Sequence, residues 1–219
     1  MAFRDLLQGV GRDTASVSVD LEMRDRASAA GGIGVVYNDV IEAPGHSAAL
    51  DVLVRDRLCD VFSVSPGELI DVLAWGMANP EPPVLVDPSE AEVLQCRQEP
   101  VDLYRIPIPR HYQEDVGRYQ SASVIIAEYG GIRNMSYHRQ LLRDETHCVA
   151  RFVPRHLRTM YETAKANGDE VPIAVVNGAD ATVLLAAAMS FNENLDELTV
   201  AAALHNKLHG EPLRMVKLP

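Results

Sequence analysis

Two segments of alternating polarity, "SASVIIAEY" (121–129) and "IRNMSYHRQLL" (132–142), meet at Gly130-Gly131. A period of two sends successive side chains to opposite faces of a strand. A glycine pair supplies positive φ at both positions of a two-residue turn, so the two runs form a tight β-hairpin. A third run, "THCVARFV" (146–153), reads as a further strand. The second strand is chemically odd. Where a sheet interior is apolar, it carries Asn134, Ser136, His138 and Arg139. Parity places Asn134 and Arg139 on opposite faces. For both to reach one ligand, the strand must bulge or end near Ser136.

The remaining segments read as elements around this hairpin. "PRHLRTMYETAKANG" (154–168) is a helix that starts at Pro154 and stops at Gly168. "VPIAVVNG" (171–178) reads as a buried strand, "DATVLLAAAMS" (180–190) as a helix, and "LDELTVAAALHNKL" (195–208) as an amphipathic helix. "EPLRMVKLP" opens a further strand. Upstream, "SVSVDL" (16–21) and "GIGVVYNDV" (32–40) are strand candidates and 46–62 has helical spacing. "SPGELIDVLAWGMAN" (65–79) opens with Ser65 as N-cap, Pro66 at the first helical position and Glu68 three residues after the cap. The proline-rich "NPEPPVLVDPSE" (79–90) reads as a connector, and "RIPIPRHYQEDVGRY" (105–119) as an extended stretch turning into a loop. The expected class is α+β, with an N-terminal α/β region over 1–100 and a second, strand-rich domain over 101–219.

Composition narrows the function. A net charge of -11 argues against nucleic acid as a partner, since a polyanion binder shows a basic face. It leaves room for a single phosphate held by a local cluster. No apolar run reaches the ~18 residues of a membrane span, and the opening "MAFRDLLQGVGRD" lacks a secretion signal's apolar stretch. Cys59, Cys96 and Cys148 are unclustered and odd in number, which fits free thiols in a cytoplasmic protein.

Two polar clusters are candidates for chemistry: Asn134 to Arg139, and Arg151 with Arg155 and His156. The second straddles a helix start, where free N–H groups and the positive end of the dipole attract an anion. The same field disfavours protonated histidine, so His156 suits the role of a neutral ligand. Alternatively, Arg155 and His156 are solvated first-turn residues, and Asn134 and Ser136 lie on an exposed strand face. "HNKLH" (205–209) reads as surface and "GHS" (45–47) as a helix cap; neither C-x-x-C nor H-E-x-x-H is present to suggest zinc.

Taken in order, "DLYRIPIPRH" (102–111), "GRY" (117–119), "SASVIIAE" (121–128), "IRNMSYHRQLL" (132–142), "VPRH" (153–156), "PIAVVNGADATVLLAAA" (172–188) and "GEPLRMVK" (210–217) resemble the UbiD family. Its members are reversible decarboxylases that use prenylated flavin mononucleotide (prenylated FMN, prFMN). The resemblance is strong from 101 to 217 and weaker before residue 100. It implies a split β-barrel flavin domain, like that of flavin reductases, over 101–219. It implies Asn134 and His156 as ligands of Mn²⁺ or Mg²⁺, with K⁺ as a further cation. It implies prenylated-FMN contacts at Ser136, Tyr137, His138, Arg139, Arg151, Phe152, Val153 and Leu157, alongside Asn134 and His156. The implied activity is decarboxylation of an aromatic or α,β-unsaturated carboxylic acid, with a flavin prenyltransferase supplying the cofactor.

In the family a glutamate completes the metal site. The resemblance places it just after "RMVKLP", beyond residue 219, with an acidic catalytic residue further on. The expected form is therefore the cofactor-binding subunit of a split enzyme, as a homo-oligomer or with a second subunit carrying the C-terminal half. Two alternatives stand beside it. One is a non-catalytic flavin-binding or assembly protein; the other is a minimal enzyme whose missing carboxylate comes from another protomer or an acid such as Glu145.

Overall fold

The computed structural model describes residues 3–190 and 195–218. Near the N-terminus, β1 (Gly11–Asp13) crosses over through α1 (Glu22–Ala29) to the parallel β2 (Val35–Tyr37), which pairs antiparallel with β3 (Ala48–Leu50). Val17, Val19, Met23, Tyr37, Val40 and Ala43 form the small core here. The expected strand over 16–21 is reduced to isolated bridges, Val17 to Val40 and Asp20 to Arg110. Its valines do point inward, but among the described residues no neighbouring strand runs alongside. The expected helix over 46–62 divides. Residues 48–50 join the sheet, Asp51 turns the corner at φ 55°, and α2 (Arg55–Phe62) starts only afterwards. The "GHS" segment thus leads into a strand and caps no helix.

α3 (Pro66–Ala78) begins as its sequence requires. Ser65 Oγ accepts from the Glu68 N–H at 3.3 Å, and Glu68 Oε2 accepts from the Ser65 N–H at 2.8 Å. Such a cap contributes about 0.5–2 kcal/mol. β4 (Val84–Leu85) emerges within the proline-rich segment, which is therefore more than a connector.

Next come β5 (Tyr119–Gln120), β6 (Val124–Tyr129), β7 (Ile132–Tyr137), β8 (Gln140–Leu142), β9 (Cys148–Ala150), α4 (His156–Asn167) and β10 (Ile173–Val176). They are followed by α5 (Ala181–Ala188), α6 (Glu197–His209) and β11 (Arg214–Met215), the last running parallel to β4. The β6–β7 hairpin closes as read. Tyr129 pairs with Ile132 across Gly130 and Gly131, whose φ values are 63° and 80°. β7 stops at Tyr137, and the chain re-enters a different sheet, β5-β8-β9. The single strand expected over 132–142 is thus two, jointed at His138-Arg139. Gln140 Nε2 holds the joint by donating to the buried Ser123 hydroxyl at 2.9 Å.

β10 pairs with β6 as the outer strand of the β10-β6-β7 sheet. It was expected to be buried, yet Ile173 and Val175 are 49% and 37% exposed. An edge strand covered on one face only leaves alternate residues outward. α6 departs in the opposite sense. Leu198, Val200 to Leu204 and His205 are all buried, so the helix is enclosed rather than amphipathic, and His205 at 4% exposure is no surface residue.

The largest core joins Leu58, Cys59, Phe62 and Leu69 of α2 and α3 to Val124, Met135 and the inner faces of α5 and α6. Side chains from both sides of residue 100 share it. A separate cluster, Ile125, Ala127, Leu157 and Met160, lies between the hairpin and α4. None of the described residues forms a helix long and apolar enough to cross a membrane.

Candidate functional site

β7 is the outer strand on its side of the sheet, so half of its backbone groups face away from β6. Among the described residues no further strand meets them there. The N–H of Met135 instead donates to Glu197 Oε2 at 2.9 Å. Glu197 is the first residue of α6, and its placement has a visible cause. Asp196 caps that helix, accepting the Leu198 N–H on Oδ1 at 2.9 Å. Its Oδ2 accepts two bonds from the Arg133 guanidinium, from Nε at 2.9 Å and from Nη2 at 2.5 Å. A residue at the start of β7 thereby fixes the N-terminus of α6 against that strand, and Glu197 lands beside Asn134.

Asn134 and Glu197 are 4% and 5% exposed. The Asn134 carboxamide donates through Nδ2 to Glu197 Oε1 at 2.9 Å, and His156 Nδ1 lies 4.0 Å from the same oxygen. His156 is the first residue of α4, preceded by an extended Arg155 as N-cap. Three elements thus deliver a carboxamide, a carboxylate and an imidazole to one point. Burial pushes the Glu197 carboxyl above its ordinary value, and the Met135 N–H and nearby His156 only partly offset it. Among the described residues no three His, Cys, Asp or Glu side chains gather as a metal-binding group. Any cation here therefore needs the Asn134 oxygen as a donor. Two oxygens and an imidazole nitrogen form a donor set that Mn²⁺ and Mg²⁺ accept.

From Asn134 the polar network runs along the strand. Ser136 Oγ lies 3.0 Å from Asn134 Oδ1 and 3.0 Å from His138 Nε2. His138 packs edge-on against Phe152, with ring centroids 5.1 Å apart. Burial holds its imidazole below the ordinary value, against a hydrogen bond to the Arg151 backbone.

The other sequence-derived candidates are placed differently. Tyr137 points to the opposite face of β7, where its hydroxyl donates to the Leu184 carbonyl at 2.9 Å; burial pushes its pKa up to about 12. Arg139, just past the joint, has a side chain 67% exposed, lies over the Tyr119 ring and sits 3.9 Å from Asp115. The break after Tyr137 thus meets the condition that parity set for Arg139. Arg151 and Val153 are exposed. Phe152 and Leu157 border an apolar groove with Tyr161, Val171 and Ile173, while Leu157 also fills the core under α4.

Glu197 is the residue that sequence reasoning missed. The carboxylate facing Asn134 and His156 was expected beyond residue 219; it comes from within the chain. Nor is it Glu145, which is exposed in the turn before β9. The only local signal was the acidic pair Asp196-Glu197 at a helix start, where a cap alone explains it.

Comparison with known proteins bears on this geometry. Residues 84–219 match the UbiD family, described as the 3-octaprenyl-4-hydroxybenzoate carboxy-lyase Rift-related domain. An anhydromevalonate phosphate decarboxylase of Methanothermobacter thermautotrophicus is 35% identical over 153 residues, covering 69% of this chain and 35% of its own. A pyrrole-2-carboxylic acid decarboxylase of Pseudomonas aeruginosa is 27% identical over 187 residues, covering 81% of this chain and 37% of its own. An evolved dimeric form of the UbiD-class enzyme HmfF from Pelotomaculum thermopropionicum, solved in complex with prFMN, superposes with a TM-score of 0.91 at 29% identity. That superposition covers 100% of this chain and 53% of HmfF. The chain spans about a third of the length of these two curated relatives and about half that of the solved enzyme. With more than half of its residues inside the family match, the chain belongs to the UbiD family.

Proposed function

We propose that this chain is the cofactor-binding subunit of a prenylated-FMN-dependent reversible decarboxylase acting on an aromatic or α,β-unsaturated carboxylic acid. The observation that carries the reading is the meeting of Asn134, His156 and Glu197 at the open edge of β7. In this reading the Asn134 oxygen, the His156 imidazole and the Glu197 carboxylate would hold Mn²⁺ or Mg²⁺, and the cation would supply positive charge for a flavin phosphate. His138, Arg139 and Arg151 would lie along the cofactor with Ser136, Phe152, Val153 and Leu157, while Tyr137, whose side chain faces the other side of β7, would contribute through its backbone. The guanidinium groups would offer charge-assisted bonds to phosphate oxygens. Residues 101–219 then make up the split-barrel flavin domain and 1–100 the N-terminal region. When bound, prenylated FMN supplies the electron sink for the pair released as CO₂ leaves the substrate. The chain's own task is to fix that cofactor by its phosphate end and to present its ring.

The rest of the catalytic apparatus, including the acid that handles the proton, is assigned to a second subunit matching the remainder of the relatives' length. Its docking is supported by the outward apolar residues Ile173, Val175, Val149 and Val153. A second copy of this chain on that surface is the alternative occupant. The test is co-production with a flavin prenyltransferase, followed by the absorbance spectrum and mass of the released ligand. Wild type is expected to retain prenylated FMN in the presence of Mn²⁺, and Glu197→Ala to lose it. Equal retention by the two overturns the site. Turnover that appears only on adding the second polypeptide supports the split assignment, and full turnover by this chain alone refutes it.

A further inference from the structure

The hydrogen bonds around Asn134 close in the arrangement seen, but with the wrong end of the carboxamide towards the cation corner. A neutral imidazole carries one N–H. Placed on Nε2, it donates to Ser136 Oγ at 3.0 Å. The one Ser136 hydroxyl proton is directed to Asn134 Oδ1 at 3.0 Å. Asn134 thereby presents Nδ2, a donor, to the Glu197 and His156 side, where a cation requires an oxygen.

A half-turn of the Asn134 carboxamide removes this difficulty, because its oxygen and nitrogen exchange places. Nδ2 then donates to Ser136 Oγ and the Ser136 hydroxyl donates to His138 Nε2, which requires the one ring proton to sit on Nδ1. Asn134, Ser136 and His138 remain satisfied along this chain. Oδ1 is left facing Glu197 Oε1, two acceptors together, which is an arrangement that a cation between them stabilises.

Building on the cation site proposed above, we infer that His138 is a positioning residue: acting through Ser136, it sets which end of the Asn134 carboxamide faces Glu197 and His156, and so prepares that corner for a divalent cation. The Ser136–His138 pair is a polarity relay. When the ring accepts at Nε2, Asn134 is turned to ligate; when the ring donates there, Asn134 is turned to bond Glu197. A bound cation selects the first state; without one, the Asn134 bond to Glu197 holds the second. No charged side chain lies against the ring among the described contacts, which are Ser136, the Arg151 backbone and Phe152.

The test measures Mn²⁺ affinity from the free-ion electron paramagnetic resonance signal, with the full chain and saturating FMN. Ser136→Ala and His138→Phe are each expected to weaken binding about five- to tenfold, the scale of one lost orienting hydrogen bond. The double variant should be no weaker than Ser136→Ala alone, because both remove the same relay. The decisive background is Asn134→Asp. A carboxylate has two equivalent oxygens and needs no turning, so in that background neither substitution should shift affinity by more than about twofold. Equal losses in both backgrounds mean a merely structural role and overturn the relay, as does the absence of any loss in the Asn134 background. If the wild-type chain binds no Mn²⁺ with FMN present, the cation site itself fails and the relay falls with it.

Discussion

Replacing Glu197 separates what the residue does for the fold from what it does for a cation. In the metal-free chain its carboxylate accepts from two buried donors, Asn134 Nδ2 and the Met135 N–H, each at 2.9 Å. Glu197→Ala orphans both. Each orphaned buried donor costs about 1–3 kcal/mol, and relief from burying a carboxylate recovers part, leaving a loss of about 2–4 kcal/mol. Glu197→Gln retains an oxygen for Met135 and is expected within about 1 kcal/mol of wild type at neutral pH. The sign of the pH dependence follows from the shift. The folded-state pKa of Glu197 is raised above the ordinary 4.5, chiefly by burial. A raised carboxyl favours folding most when protonated in both states, below 4.5, and that advantage is lost as pH rises towards the folded value. Wild type therefore loses stability relative to Glu197→Gln as pH climbs from 4.5, until the folded carboxyl has titrated. Urea unfolding with a chelator present, from about pH 4 to 8, reads both effects, with an m-value of about 2–3 kcal/mol/M converting the alanine loss into roughly 1–2 M of midpoint. A stability difference between wild type and Glu197→Gln that stays constant across that range refutes the argument. So does an alanine variant as stable as the glutamine one.

Three further outcomes follow from the packing. Gly76→Ala should lower stability by about 1–2 kcal/mol, because a Cβ there would lie 2.6 Å from Leu204, which is fully buried and cannot give way; the helical gain from alanine offsets part. An unchanged urea midpoint would contradict the close approach of α3 to α6. Arg133→Ala removes the two bonds on Asp196, which are partly solvent-screened, and should cost about 1 kcal/mol while speeding amide exchange in the first turn of α6. Exchange unchanged in that turn would mean that the cap is held by other means. Arg139→Ala should leave the midpoint within about 0.5 kcal/mol, since its side chain is exposed, yet abolish flavin retention. Undiminished flavin content in that variant would remove Arg139 from the phosphate site.

Much of the local architecture was legible because it rests on short-range rules. The Gly130-Gly131 hairpin, the Ser65/Glu68 capping box and the left-handed Gly168 that ends α4 appear as read. What failed depended on neighbours distant in sequence. The valines of 16–21 alternate correctly, but whether a strand forms depends on a partner running alongside, and only single bridges meet it. Val171 to Gly178 reads as a buried strand by composition, yet its place at a sheet edge leaves one face outward. Half of the candidate site was readable too. Asn134, Ser136 and His138 were conspicuous because they are polar in a strand, and His156 because it opens a helix. Glu197 was not, since an acidic residue after an Asp N-cap is adequately explained by the cap. The Arg133–Asp196 pair, 63 residues apart, helps bring it beside Asn134, and no local pattern announces that contact.

The location of the site follows from the same unpaired edge. An outer strand must satisfy its outward N–H groups with something other than water if it is to be buried. At Met135 the partner is a carboxylate, so one backbone requirement already places a negative charge inside the fold. Burial raises the pKa of that carboxylate, and its two donors and a histidine 4.0 Å away offset the burial only in part. A chain with net charge -11 repels a phosphorylated cofactor at long range, and Arg139, Arg151 and Arg155 are too exposed to reverse that field when salt screens them. In the proposed site a divalent cation on the Glu197 carboxylate would change the local sign where screening is weakest. The edge of β7 is therefore where the fold's need for a hydrogen-bond acceptor and the proposed site's need for a buried anion would coincide in a single side chain.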